Sequence, residues 1–556
     1  MNKAGQPLKL QSNKKPLMVL GAIGLILFLI FQVFPSTASD TLEVKAPEMI
    51  TKEAAAEAAE RFVQEQLQYS IAPGKEPLVT YQSRSDVYGY LSKEKLLTEY
   101  NKKFESKYPY DVYRVRFDQN DGTALNVDVH MQNKGIAGFS YDIAGSSYEG
   151  AMLQMGGVRT QMLLMIEGGI SLAEKEALAA PWLHRAGYDT SKLEQITGEG
   201  EPGLKYEDPE AKIGDSRLQL NFSFEDRQLR SYEPVFSVPS AHTAYVEKQT
   251  LNATLLTLLG YGLFTLVLGV LAIVYSVKTS AHTSFKRGIF LALLLFVIQM
   301  LNTYNLLPVF KADGMSDASI KGIMIFYVGY SLVFSALLYF SLVGGNGLWR
   351  KEDGLNPWPR AKEPGYGVYV LESMKLGYLW ACILLGVQSL IFIALGLTLN
   401  TWSTTDASQS PFNMLYPWLF PLMAWFAGIS EEAVYRLFGI KMVKKIVRNT
   451  FVASLITSII WALGHTLYPI YPVISRPIEL VIIGLLFSFI FLRYGYMTAV
   501  FSHVVFNSIL MGFSLMMMND PVNLWMGIFY IILPAIVGYV IYKFNTLKKE
   551  TAYPSI

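Results

Sequence analysis

The sequence predicts an all-α polytopic membrane domain of about ten spans, including an N-terminal anchor, with a large extracytoplasmic α+β domain between the first and second spans. Three observations carry that prediction. The 556 residues are 51% hydrophobic and only 17% charged, against about 25% charged in soluble domains. Apolar runs near the ~20 residues that a helix needs to cross a bilayer dominate the chain after residue 250. Residues 40–250 instead alternate apolar and polar positions between turn signals.

The N-terminus carries Lys3, Lys9, Lys14 and Lys15, followed by an apolar run over residues 17–34. A signal peptide has a shorter core, about 7–15 residues. Ser36-Thr37-Ala38 offers a cleavage site, but the length of the run favours an uncleaved anchor. Residues 1–39 are therefore read as a cytoplasmic N-terminus plus anchor.

Within 40–250, Thr51 to Leu67 is an Ala-rich amphipathic helix. VYRVRF (112–117), ALNVDVHM (124–131) and GFSYDI (138–143) alternate as strands, separated by NDG and NKG hairpin signals. Ser171-Leu172-Ala173-Glu174 opens a second helix with a capping box, and RLQLNFSF (217–224) and a strand near Val235 complete a second unit. The two helix-plus-meander units resemble small α+β modules of PepSY type, which implies binding or regulation.

Further apolar runs lie at 251–277, 288–308, 323–343, 377–399, 414–430, 451–466, 478–492, 498–518 and 525–542. Lys and Arg concentrate in alternate loops, among them Lys278, Lys286, Arg350, Lys351, Lys441, Lys444, Lys445, Arg448 and Arg493, while the loops near 309–319, 400–413, 467–477 and 519–524 carry only Lys311 and Arg476. The positive-inside rule puts both termini inside and residues 40–250 outside. The predicted parts are three spans and an inner loop over 251–370, a polar-bearing membrane core over 371–545 and a cytoplasmic tail over 546–556. Net charge is +2, which favours no nucleic-acid partner. The expected partners are the lipid bilayer and a membrane protein or peptide; nothing in the sequence indicates an oligomeric state. The one cysteine, Cys382, excludes an intrachain disulfide and a cysteine zinc cluster.

Charge within the core is the unusual feature. In EEAVYR (431–436), Glu432 and Arg436 are spaced to pair on a helix, while Glu431 diverges from Glu432 by about 100°, so that one carboxylate alone is expected to face any shared cavity. Of six histidines, only His465 in WALGH (461–465) and His503 in HVVFN (503–507) fall in predicted spans, and Asn507 lies one turn beyond His503. A single such residue fits packing or interhelical hydrogen bonding. Three neighbouring apolar segments carrying Glu, His and His-x-x-x-Asn point to a buried site. The basic run after Glu431 and the few residues between Arg493 and His503 predict a cavity opening to the inner face.

The ordered set EEAVYR, WALGH and HVVFN resembles the CAAX-protease and bacteriocin-processing family, CPBP or Abi, over roughly residues 370–545. Trp461 stands where that family commonly has Phe, and is read as aromatic packing. The resemblance implies an intramembrane endopeptidase with Glu431 as catalytic glutamate, His465 as its partner in activating water, and His503 and Asn507 as the oxyanion-stabilising pair, while the i,i+4 spacing of Glu432 and Arg436 puts those two in structural support. Physical chemistry supports those roles: hydrolysis needs a base for water and donors for the oxyanion. No metal or other cofactor is expected, with zinc on Glu431, His465 and His503 as the alternative. The alternative of another class is a non-catalytic receptor or immunity scaffold whose outer domain binds a peptide. The expected location is a cell membrane, of bacterial plasma-membrane type, and residues 40–245 are expected to select substrate and to be dispensable for cleavage, since no motif residue lies there.

Overall fold

A computed structural model describes residues 1–10, 12–33, 49–142, 167, 169–198 and 200–550. The Ser36–Ala38 cleavage signal lies outside them. Among the described residues, the N-terminal half forms one continuous antiparallel sheet of eight strands: β1 (Leu78–Ser83), β2 (Asp111–Asp118), β3 (Ala124–His130), β4 (Ile136–Asp142), β5 (Glu194–Gln195), β6 (Leu204–Ile213), β7 (Ser216–Glu225) and β8 (Gln228–Phe236). Their spatial order is β1-β2-β3-β4-β8-β7-β6-β5. Two meanders thus join edge to edge through Phe139 opposite Tyr232, so each covers an edge that the other would leave unpaired. The helix Lys52–Phe62 buries Ala55, Ala59 and Phe62 against the first meander, and Leu172–Arg185, opened by the predicted Ser171–Glu174 capping box, packs Leu183 against the second. β1 and β6 escaped the sequence reading. β1 has no clean alternation, and β6 is interrupted by Asp208, Pro209 and Glu210 at a register shift.

Among the described residues, eight helices are long and apolar enough to cross a membrane: α1 (Lys14–Val33), α2 (Ser240–Lys278), α3 (Ile289–Ala312), α4 (Asp317–Asp353), α5 (Tyr366–Leu399), and, after the segment described below, Ser475–Tyr494, Tyr496–Met516 and Pro521–Thr546. The predicted runs at 414–430 and 451–466 take another form. The first opens as short 3-10 turns at Pro411–Asn413 and Pro417–Leu419 before becoming a helix at Leu422–Glu431, and the second is the short apolar helix Thr450–Leu463. Prolines 411, 417 and 421 explain the late start, since each removes a backbone donor.

Small residues set the closest approaches. A Cβ on Gly24 of α1 would stand 2.3 Å from the Cys382 carbonyl oxygen, and one on Gly386 of α5 would stand 2.4 Å from the Gly24 Cα. The first helix is therefore packed backbone to backbone against α5, as small residues permit in lipid. At one end of the bundle Asn2–Lys3 pairs with Leu355–Asn356, the N-terminal amine donates to the Arg493 carbonyl, and Lys441 pairs with Asp353 at 2.8 Å. The Lys/Arg-rich loops of the prediction that make these contacts thus gather there.

The β-rich domain sits at the other end and grips the loop 400–421. Asn413 accepts from the Tyr81 amide (2.7 Å) and donates to the Tyr81 carbonyl (2.8 Å), both in β1. Ser85 donates to the Thr405 carbonyl and Thr404 to the Ser85 carbonyl, each at 2.6 Å, and Phe412 enters the core of the first meander. Asn413→Ala strips both polar groups of Tyr81 of their partners at a buried site, which costs about 1–3 kcal/mol. The expected outcome is a lower melting temperature and faster proteolysis within 400–421 in detergent-solubilised full-length protein; an unchanged digestion rate would show that the grip does not rest on Asn413.

Candidate active site

The site is built where three helices converge on one irregular segment. Leu422–Glu431 is α-helical, Glu432–Ile440 is π-helical, and Lys441–Val447 returns to α. The sequence reading took this stretch as regular helix. π-helical turns disrupt the usual hydrogen-bond ladder and are frequent at functional sites. The Trp349 indole N–H of α4 donates to the Leu437 carbonyl at 2.8 Å. The glycines of VGGNG (343–347) let α4 approach, since a Cβ on Gly345 would meet Leu437 at 2.9 Å. On the other face, a Cβ on Gly428 would stand 2.7 Å from Val504, which brings Glu431 and Glu432 alongside His503.

Glu432 and Arg436 are both 0% exposed and pair at 3.3 Å, in the i,i+4 relation that the sequence suggested. The Glu432 carboxylate also accepts a hydrogen bond from His503 Nδ1 at 2.9 Å. Glu431 reaches the same imidazole from the other side, its Oε2 lying 3.8 Å from His503 Nε2. Of the two, only Glu431 lines the cavity described below, as the divergence of the two side chains led one to expect, while Glu432 reaches His503 from behind it. Adjacent carboxylates cannot share one atom, but they bracket the two nitrogens of one ring. They differ in exposure, since Glu431 keeps 21% of its side-chain surface.

Trp461 is more than packing. Its indole N–H donates to Glu431 Oε2, a contact that Phe cannot make, and the Arg436 guanidinium lies 4.5 Å from its ring centroid. The His503 ring stacks on Phe487 at 4.4 Å. His465, in the turn after Thr450–Leu463, donates from Nδ1 to the Trp461 carbonyl at 3.1 Å and stacks on Tyr468. No sequence signal gives the role of Trp461, because the indole and a phenyl ring satisfy the same apolar pattern.

Glu431, His465, His503 and Asn507 all line one cavity of about 450 Å³. Glu432 and Arg436 are buried behind it. The cavity wall includes Gln409, Met414 and Tyr468, from the loops beside the β-rich domain, and Arg476 at the start of the helix Ser475–Tyr494. The predicted opening to the opposite, Lys/Arg-rich end is thus corrected. The basic run after Glu431 had suggested that end, but Lys441 and Lys445 are engaged by Glu352 and Asp353 of α4. His465 lies at the β-domain end of its own helix, and the cavity follows it.

Among the described residues, no group of three His, Cys, Asp or Glu side chains is placed to hold a metal ion. Each histidine has Nδ1 committed, to Trp461 and to Glu432 respectively.

Fold and site together define a multi-pass membrane protein with a buried carboxylate–histidine cluster opening into an apolar cavity. Residues 413–509 match the family model described as Type II CAAX prenyl endopeptidase Rce1-like, in agreement with the resemblance that the motifs indicated, over a narrower stretch than 370–545. The family is one of CAAX-type membrane proteases. No curated protein and no solved structure matches the chain.

Breaking a buried ion pair leaves an uncompensated charge, at a cost of roughly 3–5 kcal/mol, whereas replacing both partners by apolar groups is far less costly. Glu432→Gln and Arg436→Met are each expected to lower the thermal stability sharply, and the double variant to recover part of the loss. A strictly additive double variant would show that the two side chains do not act as a pair.

Proposed function

We propose that the chain is an intramembrane endopeptidase that hydrolyses a peptide bond of a membrane-associated protein or peptide by a glutamate mechanism without metal. The observation that carries this reading is the division of labour between adjacent glutamates. Glu432 is fully buried on Arg436 and His503, whereas Glu431 meets the cavity beside His465, His503 and Asn507.

Glu431 takes a proton from a water as its oxygen attacks the peptide carbonyl carbon, and later delivers that proton to the leaving amine nitrogen. His465 holds the water from the opposite side with the ring nitrogen that Trp461 leaves free. His503 and Asn507, one helical turn apart, donate to the oxyanion. Because Nδ1 of His503 is engaged with Glu432, the oxyanion role uses Nε2, which needs a proton there. Trp461 fixes the Glu431 carboxylate.

The Lys/Arg distribution supports a cell-membrane orientation with both termini inside and residues 40–250 outside, about ten spans in all. The cavity wall at the β-domain end then supports entry of the substrate from the outer side. The grip of that domain on 400–421, which supplies Gln409 and Met414 to the cavity, supports a part in shaping its mouth, in place of the dispensable role expected from the sequence.

Comparative proteomics of membranes holding wild type or Glu431→Gln tests the reading. Glu431→Gln is expected to accumulate and melt like wild type while its substrate stays uncleaved; wild-type turnover by folded Glu431→Gln would overturn the assignment. Cleavage is expected to survive a zinc chelator. Trp461→Phe keeps the ring but loses the bond to a charged acceptor, worth about 1.5–3 kcal/mol, and so is expected to lower kcat at least tenfold, by that energy scale, with the fold retained.

A further inference from the structure

Each peptide bond hydrolysed consumes one water, which must reach Glu431 while the peptide occupies the cavity. Glu431 lies on a wall between two cavities. A second chamber of about 330 Å³ shares Glu431, Trp461, His465, Tyr468 and Phe426 with the first. The rest of its wall differs in chemical character. It is rich in hydroxyls, contributed by Tyr261, Thr265, Tyr330, Ser430 and Tyr435. Three of these, Tyr261, Thr265 and Tyr330, come from α2 and α4, outside the 413–509 family match. The wall that belongs to the first cavity alone is dominated by apolar side chains such as Met414, Met423, Leu480, Ile483 and Phe506. Polar cavities with several hydrogen-bonding groups hold water, whereas apolar ones stay dry.

The chamber is built into the packing of the His465 turn. Tyr261 lies directly over Gly464, where a Cβ would come within 2.5 Å of its ring. Thr257 meets the Thr466 hydroxyl at 2.8 Å, and Thr265 meets the Tyr435 hydroxyl at 2.9 Å. The π-helical stretch Leu256–Gly262 of α2 is thereby locked onto the turn that carries His465 into both chambers.

We infer that the hydroxyl-lined chamber is the water-supply site of the proposed protease, holding water and passing it to Glu431 and His465 while peptide fills the apolar cavity. The inference rests on the proteolytic reading. In the step it serves, water gives one proton to Glu431 and its oxygen bonds to the carbonyl carbon. The C–N bond then breaks and the proton goes to the amine, so peptide and water become acid and amine with no further reactant. Tyr261, Thr265 and Tyr330 act as positioning residues for that water.

Tyr330 is 47% exposed and forms part of the chamber's outer wall, and Cys382, the chain's one cysteine, lies in neither cavity lining. In full-length Cys382→Ala protein, Tyr330→Cys is to be modified with methanethiosulfonates of increasing size and assayed on a membrane-embedded peptide. Stepwise loss of kcat is expected, roughly tenfold with a benzyl adduct, with KM within about twofold, the signature of an impaired step after substrate binding. A thiol reductant restores the rate, which excludes misfolding. The same adducts on Val328→Cys, exposed on the same helix but outside the chamber lining, leave the rate unchanged. Unchanged kcat in modified Tyr330→Cys, or a raised KM with kcat intact, overturns the inference and makes the chamber inert or a peptide subsite. If the unmodified Cys382→Ala protein with Tyr330 in place cleaves no more than Glu431→Gln, the proteolytic reading itself falls, and this inference with it.

Discussion

A guanidinium with no solvent exposure, inside a membrane bundle, governs the architecture around it. Arg436 can be held there only against a carboxylate and an electron-rich ring, because an unpaired charge in that medium is prohibitively costly. Glu432 supplies the first and Trp461 the second. Once both are in place, the rest is constrained. The indole edge of Trp461 points to Glu431, the second function of Glu432 is to hold His503, and Phe487 closes the stack beneath that ring. The buried pair is thus the frame on which the cavity-facing groups are hung.

That frame needs helices closer together than leucine-rich surfaces allow. Gly345 and Gly428 admit neighbouring backbones beside the π-helical stretch, and the carbonyl of Leu437 finds its donor in Trp349. The irregular backbone is therefore tolerated where protein surrounds it, the condition under which membranes accept non-α geometry.

The matched segment, 413–509, holds all six site residues of the sequence reading but not the whole site. Asn302 and Gln388 line the first cavity from α3 and α5, and Tyr261 and Tyr330 line the second from α2 and α4. The segment also begins at Asn413, whose side chain ties the loop to β1. The matched segment is thus set within walls that belong to the rest of this chain, including the loop that the β-rich domain grips, and such walls can vary without altering the cluster.

The sequence by itself determined the class of molecule, because hydropathy and charge are sums over residues that need no partner. Long apolar runs, the alternating meanders, the capping box at Ser171 and the ordered Glu, His and His-x-x-x-Asn motifs were all legible. So was the Glu432–Arg436 pair, which depends only on local spacing. Tertiary structure decided whatever depends on contacts between distant segments. It placed Glu432 on His503, turned Trp461 from an apolar position into a donor to Glu431, and put the cavity beside the β-rich domain, because Lys441 and Lys445 are engaged by acids that lie about 90 residues earlier and no local pattern reports a partner at that distance.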